Sequence, residues 1–435
     1  MRRALERYFR FADHQTNWRT ECLAGLTTFI TMSYIVFVNP AILHETGMPI
    51  AAVTIATCLC AGFGSILMGA LANLPIALAP GMGLNAYFTY TVVKGMGIPW
   101  PTALGAVFLS GVLFLALTAT GLRQQIVAAI PQELHAAVAG GIGLFIAFIG
   151  LINSGIIVAS RTTTVTLGNL HAPATALACL GILIIAVLQA LRVRASMLFG
   201  VLLTMAIGIA CHQVAWHPTP LDLGSISATA FHLDIRGALR MNALEIIFVL
   251  LFVDLFDNIG TLVAVTERAS IIRPDGTIPR LSQIFFADAL STVFGSLMGT
   301  STVTSYIESA AGVAAGGRTG VTAITTGLLF VAALFIAPVV GAIPAFATAP
   351  ALILVGALMV GAAARIPWNE PRIAIPAFLT LITIPMTYSI ATGLSLGIIS
   401  YAVLELCTGH GSRRHWMLYV LASLFFARIV SMHTQ

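Results

Sequence analysis

Charge is what this sequence has least of. Of 435 residues only 9% are Asp, Glu, Lys or Arg, against 58% apolar, and the mean hydropathy is +0.97. A soluble domain carries about 25% charged residues, so the composition excludes one and indicates a polytopic α-helical membrane protein. Cysteine is sparse too: Cys22, Cys58, Cys60, Cys179, Cys211 and Cys407 are scattered mostly through apolar runs. Cys58 and Cys60 are two apart, which is not a metal-ligand spacing, so all six read as small core residues and neither a disulfide framework nor a metal site is expected. No basic run with interleaved aromatics is present, which speaks against a nucleic-acid partner. The opening MRRALERYFRFADHQTNWRT is too polar for a cleavable signal, and no short apolar segment with a cleavage site follows it.

What the chain has in abundance is apolar runs. They fall near 23–43, 50–72, 75–93, 100–121, 134–155, 172–191, 195–213, 242–266, 281–299, 302–315, 319–340, 348–363, 372–388 and 390–407, fourteen spans in all, some too short for one continuous crossing helix. The basic residues support this register. With the N terminus inside, only Lys94, Arg161, Arg236 and Arg240 of the 21 fall outside, leaving 17, from Arg2 and Arg3 through Arg123, Arg273 and Arg318 to Arg413, Arg414 and Arg428, on the cytoplasmic side. Positive charge is retained in the cytoplasm during insertion, and a missed span would scramble the split. The chain thus divides into a cytoplasmic N-terminal segment (1–22), seven spans (23–213), an extracytoplasmic loop (214–241), seven more spans (242–407) and a tail (408–435). The loop holds His217, Asp222, His232 and Asp234 without metal-ligand spacing, and His135 and His212, near span ends, read as interfacial. The apolar stretch 415–431 reads as a helix lying flat in the cytoplasmic interface, with both termini cytoplasmic.

Five carboxylates nevertheless sit inside or beside apolar runs: Glu245, Asp254, Asp257, Asp288 and Glu308. A carboxylate at the bilayer centre costs about 2.5–3.5 kcal/mol even on the lenient insertion scale, so such groups are functional by default. Asp254 and Asp257 are three apart, on one helix face with Thr261 next along it. Two acids this close in a low dielectric do not both ionise readily, which is what a proton-coupled carrier requires.

Two spans are interrupted. In the third, Pro80-Gly81-Met82-Gly83 is a poor helix interior, and broken backbone at membrane depth is tolerated only where protein or a water-filled cavity satisfies it. Asn85 lies just past that break, placed either to face a ligand or to make a cap or interhelical hydrogen bond; the run Tyr87–Thr91 could be extended or helical. In the tenth, Thr302-Val303-Thr304-Ser305-Tyr306-Ile307 favours extended backbone and turns into SAAGVAAGG, which reads as a mid-membrane strand feeding a half-helix whose free N–H groups face a ligand beside Glu308. The hydroxyls of span one, Thr27, Thr28, Thr31 and Ser33, read as bonded back to their own helix or at helix contacts. The separation from Ser33 to Met82 and from Asp254 to Val303 is the same, about 49 residues, and an odd number of spans per repeat forces inverted topology, so two inverted seven-span repeats with paired broken helices are expected around a central site.

TTFITMSYIVFVNPAIL, APGMGLNAYFTYT, FVDLFDNIGTLVAV and GTSTVTSYIESAAGVAAGGRTG resemble the signatures of the AzgA-like purine permeases, a branch of the nucleobase–cation symporters within the xanthine/uracil permease superfamily. The resemblance implies a core domain of spans 1–4 and 8–11, a gate domain of spans 5–7 and 12–14, and short strands in spans three and ten flanking the substrate. It implies proton-coupled inward transport of adenine, guanine or hypoxanthine across the cytoplasmic membrane, with no cofactor and no enzymatic activity. Carried over by position, Glu308 is the span-ten acid that binds the nucleobase, with Thr304 and Ser305 beside it. Asp257 is the acid of the DNIG motif, Asp254 the additional acid of this branch, Asn85 the span-three asparagine and Asp288 the span-nine acid that organises the core. Asp254, Asp257 and Asp288 form the proton-coupling set. The oligomeric state is left open, a homodimer among the options. Two other readings compete. An anion carrier of the same fold is opposed by acids that would repel its substrate. An intramembrane aspartyl protease needs its two aspartates on different helices, whereas Asp254 and Asp257 share one turn.

Overall fold

The structure, a computed structural model, describes residues 2–121, 131–214, 222–240, 243–269, 271, 278–336, 343–409 and 416–432. Arg123, His217, Arg273, Arg413 and Arg414 lie outside the described residues, as does the side chain of Glu245. Nine helices among the described residues are long and apolar enough to cross a membrane, and Ser196–Ala210, Gly320–Phe335, Pro371–Thr387 and Trp416–Val430 are apolar but shorter. The protein is a multi-pass, mostly helical membrane protein.

Helix ends follow ordinary local chemistry. Asn17, Thr319 and Ser389 cap Trp18–Met32, Gly320–Ala332 and Ile390–Cys407, each accepting a backbone N–H of the first turn. Leu281–Met298 stops at Gly299, whose φ of 95° suits a residue without Cβ. In span one, Thr27, Thr31 and Ser33 do bond back to carbonyls of their own helix. That span is not one straight helix: Trp18–Met32 and Ile35–His44 meet at Ser33-Tyr34, where Val36 and Phe37 donate three residues back. Both residues keep helical angles, so the pitch tightens without a proline or glycine to announce it.

The helices pack as two groups. One contains Trp18–Met32, Ile35–His44, Ile50–Ala72, Trp100–Ala119, Leu281–Met298 and Gly320–Ala332, with Ala243–Arg268 against Trp100–Ala119; the other contains Gln132–Asn153, Pro173–Ala190, Ser196–Ala210, Ala345–Val360, Pro371–Thr387 and Ile390–Cys407. Glycines set the closest approaches. A Cβ on Gly320 would lie 2.0 Å from the Gly69 carbonyl oxygen, and one on Gly356 would lie 2.3 Å from that of Gly143, so backbones touch in both groups as the Gly-rich run 138–155 leads one to expect. Between the groups, a Cβ on Gly83 would lie 2.4 Å from Ile142 Cγ2.

At the centre, β1 (Leu78–Pro80) and the segment Val303–Ser305 pair antiparallel, Leu78 opposite Ser305, Ala79 opposite Thr304 and Pro80 opposite Val303. Pro80 is tolerated because a two-stranded sheet leaves every strand an edge. The Tyr306 N–H donates to the Ala77 carbonyl (3.0 Å), the Tyr306 hydroxyl donates to the Pro80 carbonyl (2.5 Å), and Ser309 Oγ accepts from the Ala77 N–H (3.0 Å). The strand of span three therefore precedes the Pro-Gly break, and Tyr87–Gly95 beyond it is a π-helix.

Three expectations are corrected here. An outer hairpin of β2 (Ile157–Ser160) and β3 (Thr164–Leu167) adds strand to an expected all-α chain; it is largely exposed and carried by a Thr/Val-rich loop. Cys58 and Cys60 are core residues, but Cys22, Cys211 and Cys407 are exposed. Trp416–Met432, expected to sit in the interface alone, packs on protein along one side: it runs antiparallel along Ile390–Cys407, with Arg428 Nη1 donating to Ser395 Oγ (2.9 Å) and Phe425 fully buried against Phe248 and Phe252. Leu418, Leu421 and Phe425 are buried against protein, while Trp416, Val420, Leu424, Phe426 and Val430 stay exposed.

Candidate functional site

The strand pair closes one end of a cavity of about 700 Å³ lying between the two helix groups. Of the sequence-derived residues, Asp257, Thr304, Ser305 and Glu308 line it. Glu308 sits where the chain leaves Val303–Ser305, at the head of the short helix Ser309–Ala314. Asp257 comes from the middle of Ala243–Arg268 and lies within electrostatic reach of both Glu308 and Asp288. The Thr304 hydroxyl is buried and has no hydrogen-bond partner among the described residues, while Ser305 Oγ donates to Asn258 Oδ1 (2.9 Å). A buried hydroxyl without a partner costs about 1–3 kcal/mol, a cost that a bound polar ligand removes.

The half-helix works differently from the expectation. Ser309, Ala310 and Ala311 spend their N–H groups on the carbonyls of Tyr306, Ile307 and Glu308. The N–H groups of these three residues are therefore engaged within their own turn.

Asp254, Asp288 and Asn85 are fully buried and are not part of the cavity wall. Asn85 donates to Asn39 Oδ1 and accepts from Ser301, and Asn39 Nδ2 donates to Thr57 Oγ1 (2.7 Å) and Thr300 Oγ1 (3.1 Å). Of the two placements open to Asn85, the structure adopts the interhelical hydrogen bond, which ties span one to both broken segments.

Tyr34 is the residue that reading the sequence missed. Its hydroxyl donates to Glu308 Oε1 at 2.6 Å, and its ring is fully buried. The pitch change at Ser33-Tyr34 turns it toward the cavity, and only the repeat offset, which pairs this point with the span-three break, hinted at it. Tyr34→Phe is expected to weaken ligand binding by up to about tenfold, because the hydroxyl that holds the Glu308 carboxylate in place is lost while the ligand's own contacts remain. Ligand-dependent thermal stabilisation of the purified variant measures this; an unchanged dissociation constant would remove Tyr34 from the site.

A family profile described as a permease family, that of the xanthine/uracil permeases, matches residues 19–396. A putative permease of Methanocaldococcus jannaschii is 50% identical over 98% of this chain and 98% of its own. Adenine permease AdeP of Escherichia coli is 43% identical over 98% and 96%, and guanine/hypoxanthine permease PbuG of Bacillus subtilis 44% over 97% and 98%. Among solved structures, the transmembrane domain of a cyanobacterial bicarbonate transporter, BicA, superposes with TM-score 0.65 at 15% identity over 88% of this chain and 98% of that one. The murine anion transporter Slc26a9, in an inward-facing state, gives 0.62 at 12% over 87% and 68%.

Proposed function

The chain belongs to the xanthine/uracil permease family and is a permease, not an enzyme, and from that premise we propose that it carries purine nucleobases, adenine or guanine/hypoxanthine, inward across the cytoplasmic membrane with protons by alternating access. The observation that carries this reading is the convergence of Asp257, Glu308 and the unpartnered Thr304 hydroxyl in one cavity at the strand crossing. Purine N–H groups are donors, and an ionised carboxylate is the strongest available acceptor for them. The same acids oppose the anion reading, although the fold is shared with anion carriers.

The fourteen spans are read as two inverted repeats, 23–213 and 242–407, separated by the loop 214–241. The first helix group is the core and the second the gate. The antiparallel strand pairing across the repeats and the matching glycine contacts of the two groups support this. The cavity continues along Ala264, Leu281 and Arg365, at the same helix ends as Arg268 and Arg280, which supports reading the state as inward-open with the N terminus cytoplasmic. The seating of Trp416–Met432 carries the last helix back toward the opposite face, against a cytoplasmic C terminus. Asp257 holds substrate and shares the coupled proton with Asp254, one turn toward the outer side on the same helix, and with Asp288.

The test is uptake of labelled adenine, guanine and hypoxanthine by cells lacking purine carriers of their own. Saturable uptake that a protonophore collapses is expected. Absence of uptake of all three, with the protein present in the membrane, overturns the proposal.

A further inference from the structure

His135 was expected at the membrane interface, yet it lines the cavity that holds Asp257, Thr304 and Glu308. It stands in the first turn of Gln132–Asn153, on the opposite helix group from the strands. The residue is 8% exposed, and its Nε2 is buried without a hydrogen-bond partner among the described residues. Its ring meets Phe256 edge-on, centroids 4.9 Å apart, and Phe256 is itself 1% exposed. The residue after Phe256 is Asp257, so the contact that orients the imidazole is made by the immediate neighbour of a site acid.

The chemistry of the two walls differs. An ionised Glu308 can only accept hydrogen bonds, so it reads an N–H donor of a heterocycle. A purine also presents ring nitrogens that only accept, and on the strand wall the Thr304 hydroxyl, unpartnered among the described residues, is a group that could donate to one. A neutral imidazole carries a donor on one ring nitrogen, and an orphaned buried Nε2 is a group whose cost a ligand removes. We propose that His135 is a specificity-determining contact: Nε2–H donates to a ring nitrogen of the purine from the wall facing Glu308, so that both helix groups hold the substrate at once. This rests on the purine reading above and adds a residue and a direction of hydrogen bonding to it.

The experiment compares wild type, His135→Phe and His135→Gln by inhibition of labelled-purine uptake with the parent purine and with analogues in which one ring nitrogen is replaced by C–H. His135→Phe keeps the ring against Phe256 and removes the donor; His135→Gln restores one. His135→Phe is expected to weaken the parent purine about tenfold, the effect of an unpaired buried group, while one deaza analogue binds wild type and variant equally. His135→Gln is expected to regain part of the difference. A uniform loss across all analogues in both variants, or no loss in either, overturns the inference. If His135→Phe does not reach the membrane, His135→Leu takes its place in the same comparison: a loss confined to all but one deaza analogue upholds the donor, and no loss or a loss common to all analogues counts against it. Wild-type uptake in the same cells separates failure of this inference from failure of the purine reading.

Discussion

Glu308→Gln is expected to abolish concentrative purine uptake and to weaken binding by roughly 10- to 150-fold, the range that corresponds to about 1.5–3 kcal/mol for a hydrogen bond to a charged group. The argument is geometric. Glu308 is placed at the exit of Val303–Ser305 and lines the cavity, and the Tyr34 hydroxyl donates to its Oε1 at 2.6 Å, which fixes the carboxylate at the cavity wall. Glutamine keeps the shape and can still accept from Tyr34, so the fold is expected to persist. What changes is the charge and the replacement of one acceptor oxygen by a donor, which opposes a purine N–H. Binding of labelled hypoxanthine and adenine to purified protein, with a size-exclusion profile as the control for folding, measures the effect. Wild-type affinity in a monodisperse Glu308→Gln protein would remove this residue from the substrate site.

Asp257→Asn is expected to separate binding from coupling. Asp257 lies within electrostatic reach of Asp288 and Glu308, and it alone of the span-eight pair reaches the cavity wall. Three carboxylates gathered in a desolvated region repel one another when all are charged, so a proton entering with the substrate offsets that repulsion. Asparagine imitates the protonated, neutral form. Binding is therefore expected to stay within about threefold of wild type, well under the tenfold that 1.36 kcal/mol represents, while accumulation against a gradient is lost. Purine-driven alkalinisation of the medium outside vesicles or cells containing the protein is the measurement: wild type produces it and Asp257→Asn does not. Accumulation and proton movement both retained in Asp257→Asn would place the coupled proton elsewhere. Asp254→Asn, altering a buried acid off the cavity wall, is the comparison that shows whether the proton passes through the pair.

Much of the architecture was determined by the sequence alone, and for identifiable reasons. Hydrocarbon tolerates neither unpaired backbone nor stray charge, so the apolar runs, the basic split and the few intramembrane acids each left a mark readable one residue at a time. Pro80-Gly81 and the β-prone run at Thr302–Ile307 announced the interrupted segments, and Asp257 and Glu308 stood out because carboxylates there are expensive. What the tertiary structure decided is everything that depends on which face a residue turns and what meets it. Tyr34 reaches Glu308 across 274 positions of sequence because a helix tightens at Ser33 with no breaker residue to signal it. Asn85 turned to Asn39 and Ser301 because a buried amide satisfies itself with the nearest partners, and the sequence left both placements open. His135 looked interfacial by its position near a span end, yet packing between the two helix groups brings it to the cavity. Trp416–Met432 looked like a surface helix because its apolar face was visible and its partners Phe248 and Phe252, well over a hundred residues away, were not. Composition and periodicity record the cost of burial in lipid; they do not record contacts between distant segments, and in this protein those contacts set the orientation of the site.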